Sequence, residues 1–541
     1  MITAWPPFAL LATKSALERT LDFARNNPFT DVYQLDAFDL ALLVPYFGIL
    51  IILSVYGFHR YKLVYTYYKY KKNATGEPPG RLAELPRVTV QLPVFNERFV
   101  VEQLLENVCR LDYPPELLEI QVLDDSTDET AAIAEAVCRR CTAAGHPVAY
   151  IHRDHREGFK AGALQNGLRQ SSGELIAIFD ADFLPTPDFL RRTVHYFADA
   201  AVGMVQTRWT YQNRNYSFLT RVEAILLDGH FVLEHGARAR SNRFFNFNGT
   251  AGVLRRAAIE EAGGWQHDTL TEDSDLSYRA QLKGWKFLYA PGVECPSELP
   301  VEMTAFQVQQ ARWAKGLIQT GRKILPSLLR APLPLRVKTE GWFHLTSNIC
   351  YPLMLALSVL LLPALIVRFY QGWFQMLYID LPLYIAAFCS ISTFYVVSQK
   401  ELYPQRWKRT FLMVPFIMAT GIALTLTNTR AVIEALLGRQ SPFQRTAKYA
   451  LETPGQRPPA TLGYRRRSRW LPWIDLLIGS YFLLTVFYAI HTENYFTVPF
   501  LLLFVLGYYY AGAVTLVQEN REKLAQALEP LRLRFYALGR R

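Results

Sequence analysis

Uncharged apolar runs and charged stretches alternate along this chain in long blocks. Six runs contain no charged side chain, at residues 40–58, 345–367, 381–398, 411–429, 476–490 and 495–517. A helix needs about 20 predominantly apolar residues to cross a bilayer, so each run is a candidate span. Residues 59–344, between the first two runs, have the mixed patterning of a soluble domain. The pattern therefore predicts a soluble domain inserted in a bundle of membrane helices.

The positions of basic residues predict the orientation, because Lys and Arg concentrate on the cytoplasmic side of a membrane. Basic residues follow the first run and acidic residues precede it, so the soluble domain is expected to be cytoplasmic. The fourth run has basic residues on both flanks, so we expect residues 411–437 to lie in the interface or to re-enter. Five spans remain, one before the soluble domain and four after it. Asp475 is expected at the cytoplasmic edge, because an acid in mid-bilayer costs about 2.5–3.5 kcal/mol.

These predictions divide the chain into segments. Residues 1–39 are expected to be extracytoplasmic, without the features of a cleavable signal peptide. The other segments are a membrane helix (40–58), a basic linker (59–84), a soluble domain (85–325), an interfacial helix with two membrane helices (326–399), a cytoplasmic or interfacial region (400–470), a membrane hairpin (471–517) and a basic cytoplasmic tail (518–541). The whole chain is predicted to be a multi-pass protein of the cell (inner) membrane.

Composition agrees with a mixed protein of this kind. The chain of 541 residues is 50% hydrophobic and carries a formal net charge of +11. Because the positive charge lies mainly in the predicted cytoplasmic loops, it indicates anionic lipids or an anionic substrate rather than nucleic acid. Cys138 and Cys141 form a C-x-x-C pair, but no second pair or histidine set completes a metal site. Both cysteines are therefore expected to pack in the core.

Within the soluble region, strand and helix patterns alternate. Strand patterns occur at 88–94, 120–123, 148–151 and 175–179, and helix patterns at about 98–110, from 128 onwards and at 160–169. Such alternation predicts an α/β fold with a doubly wound, mostly parallel sheet. Ligands of these sheets bind at the carboxyl ends of the strands.

Acidic residues stand at three of those strand ends, in Asn96-Glu97, Asp124-Asp125 and Asp180-Ala181-Asp182. An Asp-x-Asp after an apolar strand suits a divalent metal shared with substrate phosphates, because hard cations prefer oxygen ligands. The first strand is not followed by a glycine-rich loop, which argues against a dinucleotide site or a P-loop.

Three further stretches are candidates for the site. Asp273, in Thr271-Glu272-Asp273, is a plausible general base, although Thr271 and the acids would also suit a helix N-terminus. The small-residue stretch 247–252 suits close approach by a ligand, and Lys160 at a helix start could meet a phosphate. An ordinary turn and an ordinary helix start are the alternatives.

Gln309, Arg312 and Trp313 form a polar cluster shortly before the second apolar run. Arg offers a fork of donors for phosphate, and Trp offers a flat face for a sugar ring. These residues could instead anchor an amphipathic helix at the lipid headgroups.

Taken in order, these motifs resemble a known family. Asp124-Asp125-Ser126, Asp180-Ala181-Asp182, Thr271-Glu272-Asp273 and Gln309-x-x-Arg312-Trp313 resemble the four signatures of membrane-integrated, processive family 2 glycosyltransferases. Cellulose, hyaluronan and mannan synthases belong to that group. The stretches 121–128, 245–252 and 283–289 are similar to the cellulose-synthase-like enzymes that make glucomannan or xyloglucan backbones in plants, and to their bacterial relatives. The resemblance covers residues 85–330 and implies a GT-A-type domain.

The resemblance also implies roles for individual residues. It implies catalysis by Asp273, with Glu272 beside it, and a site for Mg2+ or Mn2+ at Asp180 and Asp182. It implies donor binding by Asp124, Asp125, Lys160, Asp180, Gln309, Arg312, Thr446 and Lys448. It implies acceptor binding by Trp313, Asn248, Gly249 and Thr250. Residues 443–448 resemble the gating loop of cellulose synthase, with Arg445 where the family has a hydrophobic residue.

The predicted reaction is inverting transfer of a hexose from a nucleotide-sugar, UDP-glucose or GDP-mannose, to a growing beta-linked polysaccharide, coupled to export. One alternative is a single addition that makes a membrane glycolipid. Another is a transporter or scaffold without catalysis, which is disfavoured because no charged pair lies in mid-membrane. The expected partners are the donor, a beta-linked glycan acceptor and membrane lipids, with no nucleic acid.

Overall fold

A computed structural model describes residues 36–78, 80–370, 377–453, 455–456 and 470–520. Nearly all of the predicted N-terminal segment and C-terminal tail, and the basic residues between 457 and 469, lie outside the described residues.

The strands of the described chain form a single seven-stranded sheet. They are β1 (Val88–Val94), β2 (Leu118–Asp124), β3 (Val148–His152), β4 (Leu175–Ile178), β5 (Val202–Tyr211), β6 (Gly252–Arg255) and β7 (Lys286–Ser297). Their order across the sheet is β3-β2-β1-β4-β6-β5-β7. β1 to β4 are parallel, β5 is parallel to β7, and only β6 in this sheet is antiparallel to its neighbours. The predicted α/β fold with a mostly parallel sheet is confirmed.

The direction of β6 follows from where it begins. Gly252, its first residue, pairs with Ile178, the last residue of β4. β6 therefore starts at the edge of the sheet where β4 ends, and it must run back across the sheet in the opposite direction.

Helices occupy the connections between strands and most of the described region after β7. They are α1 (Ala37–Lys69), α2 (Val101–Val108), α3 (Thr130–Ala143), α4 (Phe159–Gln170), α5 (Phe189–Thr193), α6 (Phe218–Gly229), α7 (Gly236–Arg240), α8 (Arg256–Glu261), α9 (Glu272–Leu282), α10 (Met303–Arg330), α11 (Leu335–Thr346), α12 (Cys350–Tyr370), α13 (Leu377–Leu402), α14 (Thr410–Ala423), α15 (Thr425–Leu436), α16 (Leu471–His491) and α17 (Val498–Glu519). A π-helical turn, His230–His235, joins α6 to α7.

Alternate side chains of the strands point into two hydrophobic cores, one on each face of the sheet. Val90 and Leu92 of β1 point into the first core, with apolar side chains of α2 and α3. Ile176 and Ile178 of β4 point into the second core, with Leu164 of α4. This is the period-2 alternation expected of strands buried on both faces. Cys138 and Cys141 are free and buried in the first core, which confirms their packing role.

Five helical segments in the described residues are long and apolar enough to cross a membrane. They are α1, Leu335–Phe369 across α11 and α12, Pro382–Leu402 in α13, α16, and Tyr495–Glu519, which contains α17. These segments contain five of the predicted apolar runs, apart from Leu381, whose side chain is not described. Their large apolar side chains face outward, as in Val44 (66% exposed) and Leu477 (70%), which suits contact with lipid.

The remaining apolar run is interrupted. Residues 407–423 and α15 form a pair that is bent by 44°, as a broken span or a re-entrant segment would be. α15 packs on α10 through Ala314 and Val432, and Lys315 donates to Glu434 at 2.8 Å. The predicted interfacial or re-entrant position of residues 411–437 stays a prediction.

Buried polar contacts join the apolar helices to the soluble domain. Asp228 of α6 accepts hydrogen bonds from Arg214 and from Gln399 of α13, both at 2.7 Å. Glu340 of α11 lies 3.1 Å from His59 Nε2 of α1 and 3.2 Å from Arg238 Nε of α7. Because a buried charge is costly unless it is paired, these contacts fix the helices and the sheet relative to each other.

Candidate active site

The register of the parallel strands brings the acidic motifs to one edge of the sheet. Val94 of β1 pairs with Asp124 of β2, and Gln91 pairs with Ile178 of β4, just before Asp180. A cleft opens at this edge, with a cavity of about 160 Å3. All of the predicted site residues line it except Asp124 and Thr250.

Each carboxylate of the Asp-x-Asp forms an ion pair with a lysine side chain. Lys160 Nζ donates to Asp180 Oδ1 at 2.5 Å, and Lys448 Nζ donates to Asp182 Oδ2 at 2.8 Å. Burial alone would lower the pKa of each lysine, but the neighbouring carboxylates outweigh it and raise both pKa values. Both lysines therefore stay charged and act as counter-ions for the acids.

The loop before β6 holds Asp180 and Lys160 in place. The Thr250 hydroxyl accepts the backbone N–H of Asp180 at 2.8 Å, and the Gly249 carbonyl accepts from Lys160 at 2.9 Å. Gly249 has a φ of +83°, and a Cβ there would lie 3.0 Å from Asp273 Oδ2, so glycine suits this position. Thr250 thus positions the aspartate instead of lining the cleft.

Glu272 and Asp273 begin α9 and face the cleft. Burial, and next the charge of Glu272, raise the pKa of Asp273 to about 7. Burial also raises the pKa of Glu272. The predicted helix N-terminus is confirmed, with Thr271 at the N-cap position and the acids in the first turn. The Thr271 side chain makes no cap hydrogen bond, however, and instead contacts the Thr320 hydroxyl at 3.1 Å.

α10 presents Gln309, Arg312 and Trp313 to the cleft on one face, as the i, i+3, i+4 spacing requires. Arg312 is surrounded by Glu272, Asp180, Asp273 and Asp182, whose charges oppose the lowering of its pKa by burial. α10 approaches the acidic motif closely at Gly316, where a Cβ would lie 2.5 Å from Thr271 Cγ2. The helix therefore holds a fixed cation against the acids.

The two aspartates that end β2 have different surroundings. Arg153 binds Asp125 through two nitrogens, at 2.7 and 2.5 Å, and Asp125 lines the cleft. Asp124 is fully buried, and its carboxylate accepts from Tyr150 OH and from His152 Nδ1, both at 2.8 Å. Direct contact between Asp124 and a donor stays a prediction, and in this structure its carboxylate holds β3 against β2.

Residues 443–450, which include the gating-like loop, cover the cleft. Arg445 forms a 2.8 Å ion pair with Glu97, and the backbone N–H groups of Tyr449 and Ala450 donate to Glu298. The ring of Phe443 packs against the guanidinium of Arg312 at 4.5 Å. Arg445 thus uses its charge to hold the loop at a position where a hydrophobic residue could not.

Sequence reasoning placed Glu97 at a ligand-binding strand end without giving it a role, and it did not assign Arg156 or Glu298 to the site, although all three line the cleft. Arg156 lies 3.3 Å over the Phe95 ring, and burial lowers its pKa to about 10. Each follows the end of a strand, which was the available signal. That signal was incomplete for Glu298, because no strand pattern was recognised before it.

The residues at Asp180 and Asp182 fit a divalent cation of the Mg2+ or Mn2+ type. They supply two hard carboxylate oxygen donors, and such cations complete their coordination with phosphate oxygens and water. No cluster of three or more metal-ligating side chains occurs within the described residues, so the protein alone does not form a closed cage.

The part of the chain that forms this cleft is similar in sequence to known proteins. Residues 86–316 match the sequence model of Glycosyltransferase like family 2. Glucomannan 4-beta-mannosyltransferase 2 of Arabidopsis thaliana is 43% identical over 268 residues, which are 49% of this chain and 50% of that protein. Glucomannan 4-beta-mannosyltransferase 1 of Oryza sativa subsp. japonica is 43% identical over 261 residues, 47% of this chain and 50% of that protein. The mannosyltransferase PcManGT from Pyrobaculum calidifontis, solved with GDP-Man and Mn2+, is 25% identical with a TM-score of 0.46, over 66% of this chain and 99% of that one.

Residues 86–316 therefore form a glycosyltransferase family 2 domain, which contains the mostly parallel sheet. Its similarity is to the cellulose-synthase-like branch, as the motifs predicted, through relatives named as glucomannan 4-beta-mannosyltransferases. The chain spans about half the length of the curated relatives that it matches.

Proposed function

We propose that this protein is an inverting membrane hexosyltransferase that extends a beta-linked polysaccharide with mannosyl units from GDP-mannose. The observation that carries the proposal is the convergence of Asp180, Asp182, Asp273 and Arg312 on one cleft of a family 2 domain. The mannosyl assignment is supported by the relatives named as mannosyltransferases. Apolar helices suited to a membrane lie directly after α10.

In this proposal the donor diphosphate lies between Arg312, Lys448 and the Asp-x-Asp. Asp180 and Asp182 would hold Mg2+ or Mn2+, which when bound neutralises the charge that grows on the leaving diphosphate. In the donor complex, Lys160 and Lys448 would donate hydrogen bonds to phosphate oxygens as well as to the carboxylates. Arg312 keeps a fixed positive charge beside the leaving group, where a preorganised cation stabilises the transition state.

Asp273 acts as the general base on the acceptor hydroxyl. The hydroxyl oxygen attacks the anomeric carbon as the carbon–oxygen bond to the diphosphate breaks, and its proton passes to a carboxylate oxygen of Asp273. A single displacement inverts the anomeric centre, so an alpha-linked donor gives a beta linkage. Trp313, on the same face of α10 as Arg312, would stack the acceptor sugar.

A panel of nucleotide-sugars tests the proposal. Purified protein in lipid is incubated with GDP-mannose, UDP-glucose and UDP-GlcNAc, with Mg2+ or Mn2+ and a beta-linked oligosaccharide acceptor. We expect polymer from GDP-mannose that a beta-mannanase digests, and loss of activity in excess chelator. A chloroform-soluble product would favour the glycolipid alternative. Turnover of no donor would contradict the proposal, and full activity in chelator would contradict the metal site alone.

The raised pKa of Asp273 predicts how the rate depends on pH. The base must be ionised to accept a proton, and burial keeps it protonated up to about pH 7. We therefore expect kcat/KM for the acceptor to fall about tenfold per pH unit below that value and to level off above it. Initial rates from about pH 5 to about pH 9, with donor saturating, measure the profile. A value of kcat/KM that does not change with pH below about 7 would show that Asp273 is not the titrating base.

A further inference from the structure

Arg156 lines the cleft with its guanidinium among aromatic rings. The guanidinium carbon lies 3.3 Å from the centroid of the Phe95 ring, 5.1 Å from that of Phe159 and 5.6 Å from that of Phe443. A ring at the first of these distances contacts the flat face of the guanidinium, whereas the N–H groups lie at the edge of that plane. Stacking on Phe95 therefore fixes the plane of the group without using its donors.

Within the described residues, the side chain of Arg156 has no hydrogen-bond or ion-pair partner, and its Nε is buried. Asp125 is the acid whose charge acts on Arg156. Arg153, however, already binds both carboxylate oxygens of Asp125, at 2.7 and 2.5 Å. Because a buried donor without an acceptor is costly, this arrangement indicates that a ligand supplies the acceptors for Arg156.

The loop that carries Arg156 is held in one conformation. Arg153 Nη1 donates to the backbone carbonyl of Glu157, and Arg153 Nη2 donates to that of Phe159, both at 3.1 Å. Phe159 has a φ of +51°, which a bulky residue rarely adopts. Such a conformation persists only where the surrounding structure imposes it. The backbone therefore presents Arg156 to the cleft in a defined position.

Arg156 lies near the site proposed for the donor diphosphate but outside it. The ring of Phe443 lies 4.5 Å from the guanidinium of Arg312 and 5.6 Å from that of Arg156, so the two groups are no more than about 10 Å apart. The carboxylates of the Asp-x-Asp and of Asp273 act on Arg312 and are not among the charges that act on Arg156. Because the transferred hexose must lie at Asp273, the nucleoside is the part of the donor that remains for Arg156.

The guanidinium fork suits one base better than the others. Guanine presents two acceptors, O6 and N7, side by side on one edge, and arginine can donate to both at once. On the same edge adenine pairs an N7 acceptor with an NH2 donor, which opposes the N–H groups of arginine. A pyrimidine such as uracil offers a single carbonyl oxygen there. The donor pattern of Arg156 therefore favours guanine.

We propose that Arg156 is a specificity-determining residue that recognises the guanine base of the donor by donating hydrogen bonds to O6 and N7. Phe95 supports it by holding the plane of the guanidinium. The inference rests on the proposed function and names the base that the same site selects. It gives Arg156 no part in making or breaking the glycosidic bond.

Nucleotide binding in the absence of acceptor tests the proposal. Purified protein in lipid is titrated calorimetrically, with Mg2+, with GDP, UDP and 7-deaza-GDP, in which a C–H replaces the N7 acceptor. Wild-type protein should bind GDP about tenfold more tightly than 7-deaza-GDP, the effect of one hydrogen bond. Arg156→Ala should weaken GDP binding by about 10-fold to 100-fold, the range for one bidentate contact with guanine. This variant should leave UDP binding nearly unchanged and should no longer distinguish GDP from 7-deaza-GDP.

Two further variants separate base recognition from packing. Arg156→Met keeps an apolar chain against Phe95 but has no N–H donor, so it should lose the preference for guanine as Arg156→Ala does. Arg98→Ala is the matched control. The Arg98 guanidinium also lies over a phenylalanine ring, 4.7 Å from the centroid of Phe99, but Arg98 lines no part of the cleft. Its loss should leave the Kd for GDP unchanged.

Three results would overturn the inference. The first is an equal loss of GDP and UDP affinity in Arg156→Ala, which would show that the arginine serves the diphosphate or the fold. The second is wild-type protein that binds GDP and 7-deaza-GDP alike, and the third is wild-type protein that binds UDP more tightly than GDP. Because binding is measured without acceptor, a failure to transfer mannose from GDP-mannose would instead contradict the proposed function.

Discussion

Replacing Asp273 with Asn is expected to lower kcat by between about 100-fold and about 10,000-fold, the usual contribution of a general base. Asn has nearly the same shape but cannot accept the acceptor proton. The donor should still bind, because the contacts proposed for the diphosphate come from Lys160, Arg312 and Lys448. Transfer to an oligosaccharide acceptor gives kcat, and calorimetric titration with GDP gives donor affinity.

The control for this variant is Asp268→Asn. Asp268 is an exposed acid on the loop before α9, where it pairs with Lys323. It lines no part of the main cleft, so the same change of charge there should leave kcat within about twofold, as for other surface sites. Normal turnover by Asp273→Asn would remove Asp273 from the mechanism.

Replacing Arg312 with Ala is expected to lower kcat by about 100-fold to 1,000-fold, the range for removing one preorganised donor from a developing charge. The effect has two physical sources. The leaving diphosphate loses its fixed cation, and Glu272, Asp180, Asp273 and Asp182 lose the positive charge at their centre. GDP should also bind more weakly, which separates this variant from Asp273→Asn.

Arg322→Ala is a matched control on the same helix. Arg322 donates to the backbone carbonyl of Ala435 and does not line the cleft. Its loss should change stability, read from the thermal midpoint, and leave kcat unchanged. If kcat falls in both arginine variants in proportion to the decrease in their thermal midpoints, the effect of Arg312 is structural and its proposed role fails.

The sequence predicted the parallel half of the fold well. β1 spans the predicted residues, and β2, β3 and β4 differ from them by no more than two residues at either end, because each is a short apolar run with turns on both sides. β5, β6 and β7 were not predicted. β6 has only four residues, and β7 contains Pro291 and Gly292, which interrupt a strand pattern. Their pairing is tertiary information that no local pattern carries.

The candidate site was predicted from strand ends and motif order, and most of its members lie together. The exceptions have a common cause. Asp124 and Thr250 stand in the right motifs, but the backbone directs their side chains inward, to Tyr150 and to the Asp180 N–H. A motif names the chain position, whereas the direction of a side chain depends on the packing of neighbouring strands. The ion pair between Arg445 and Glu97 joins residues 348 positions apart, a separation over which sequence patterns give no signal.

The contact between His59 and Glu340 has a consequence for the membrane. α1 has 33 residues and is about 50 Å long, longer than the hydrocarbon layer of about 30 Å. Length alone would let it slide along the bilayer normal. A slip of one residue would move His59 by about 1.5 Å and rotate it by about 100°, away from a carboxylate that also holds Arg238. The contact therefore fixes the position of α1 along its own axis relative to α11 and to the sheet. For a bilayer around α1, a change in thickness would have to be accommodated by tilting the whole protein or by deforming the lipid.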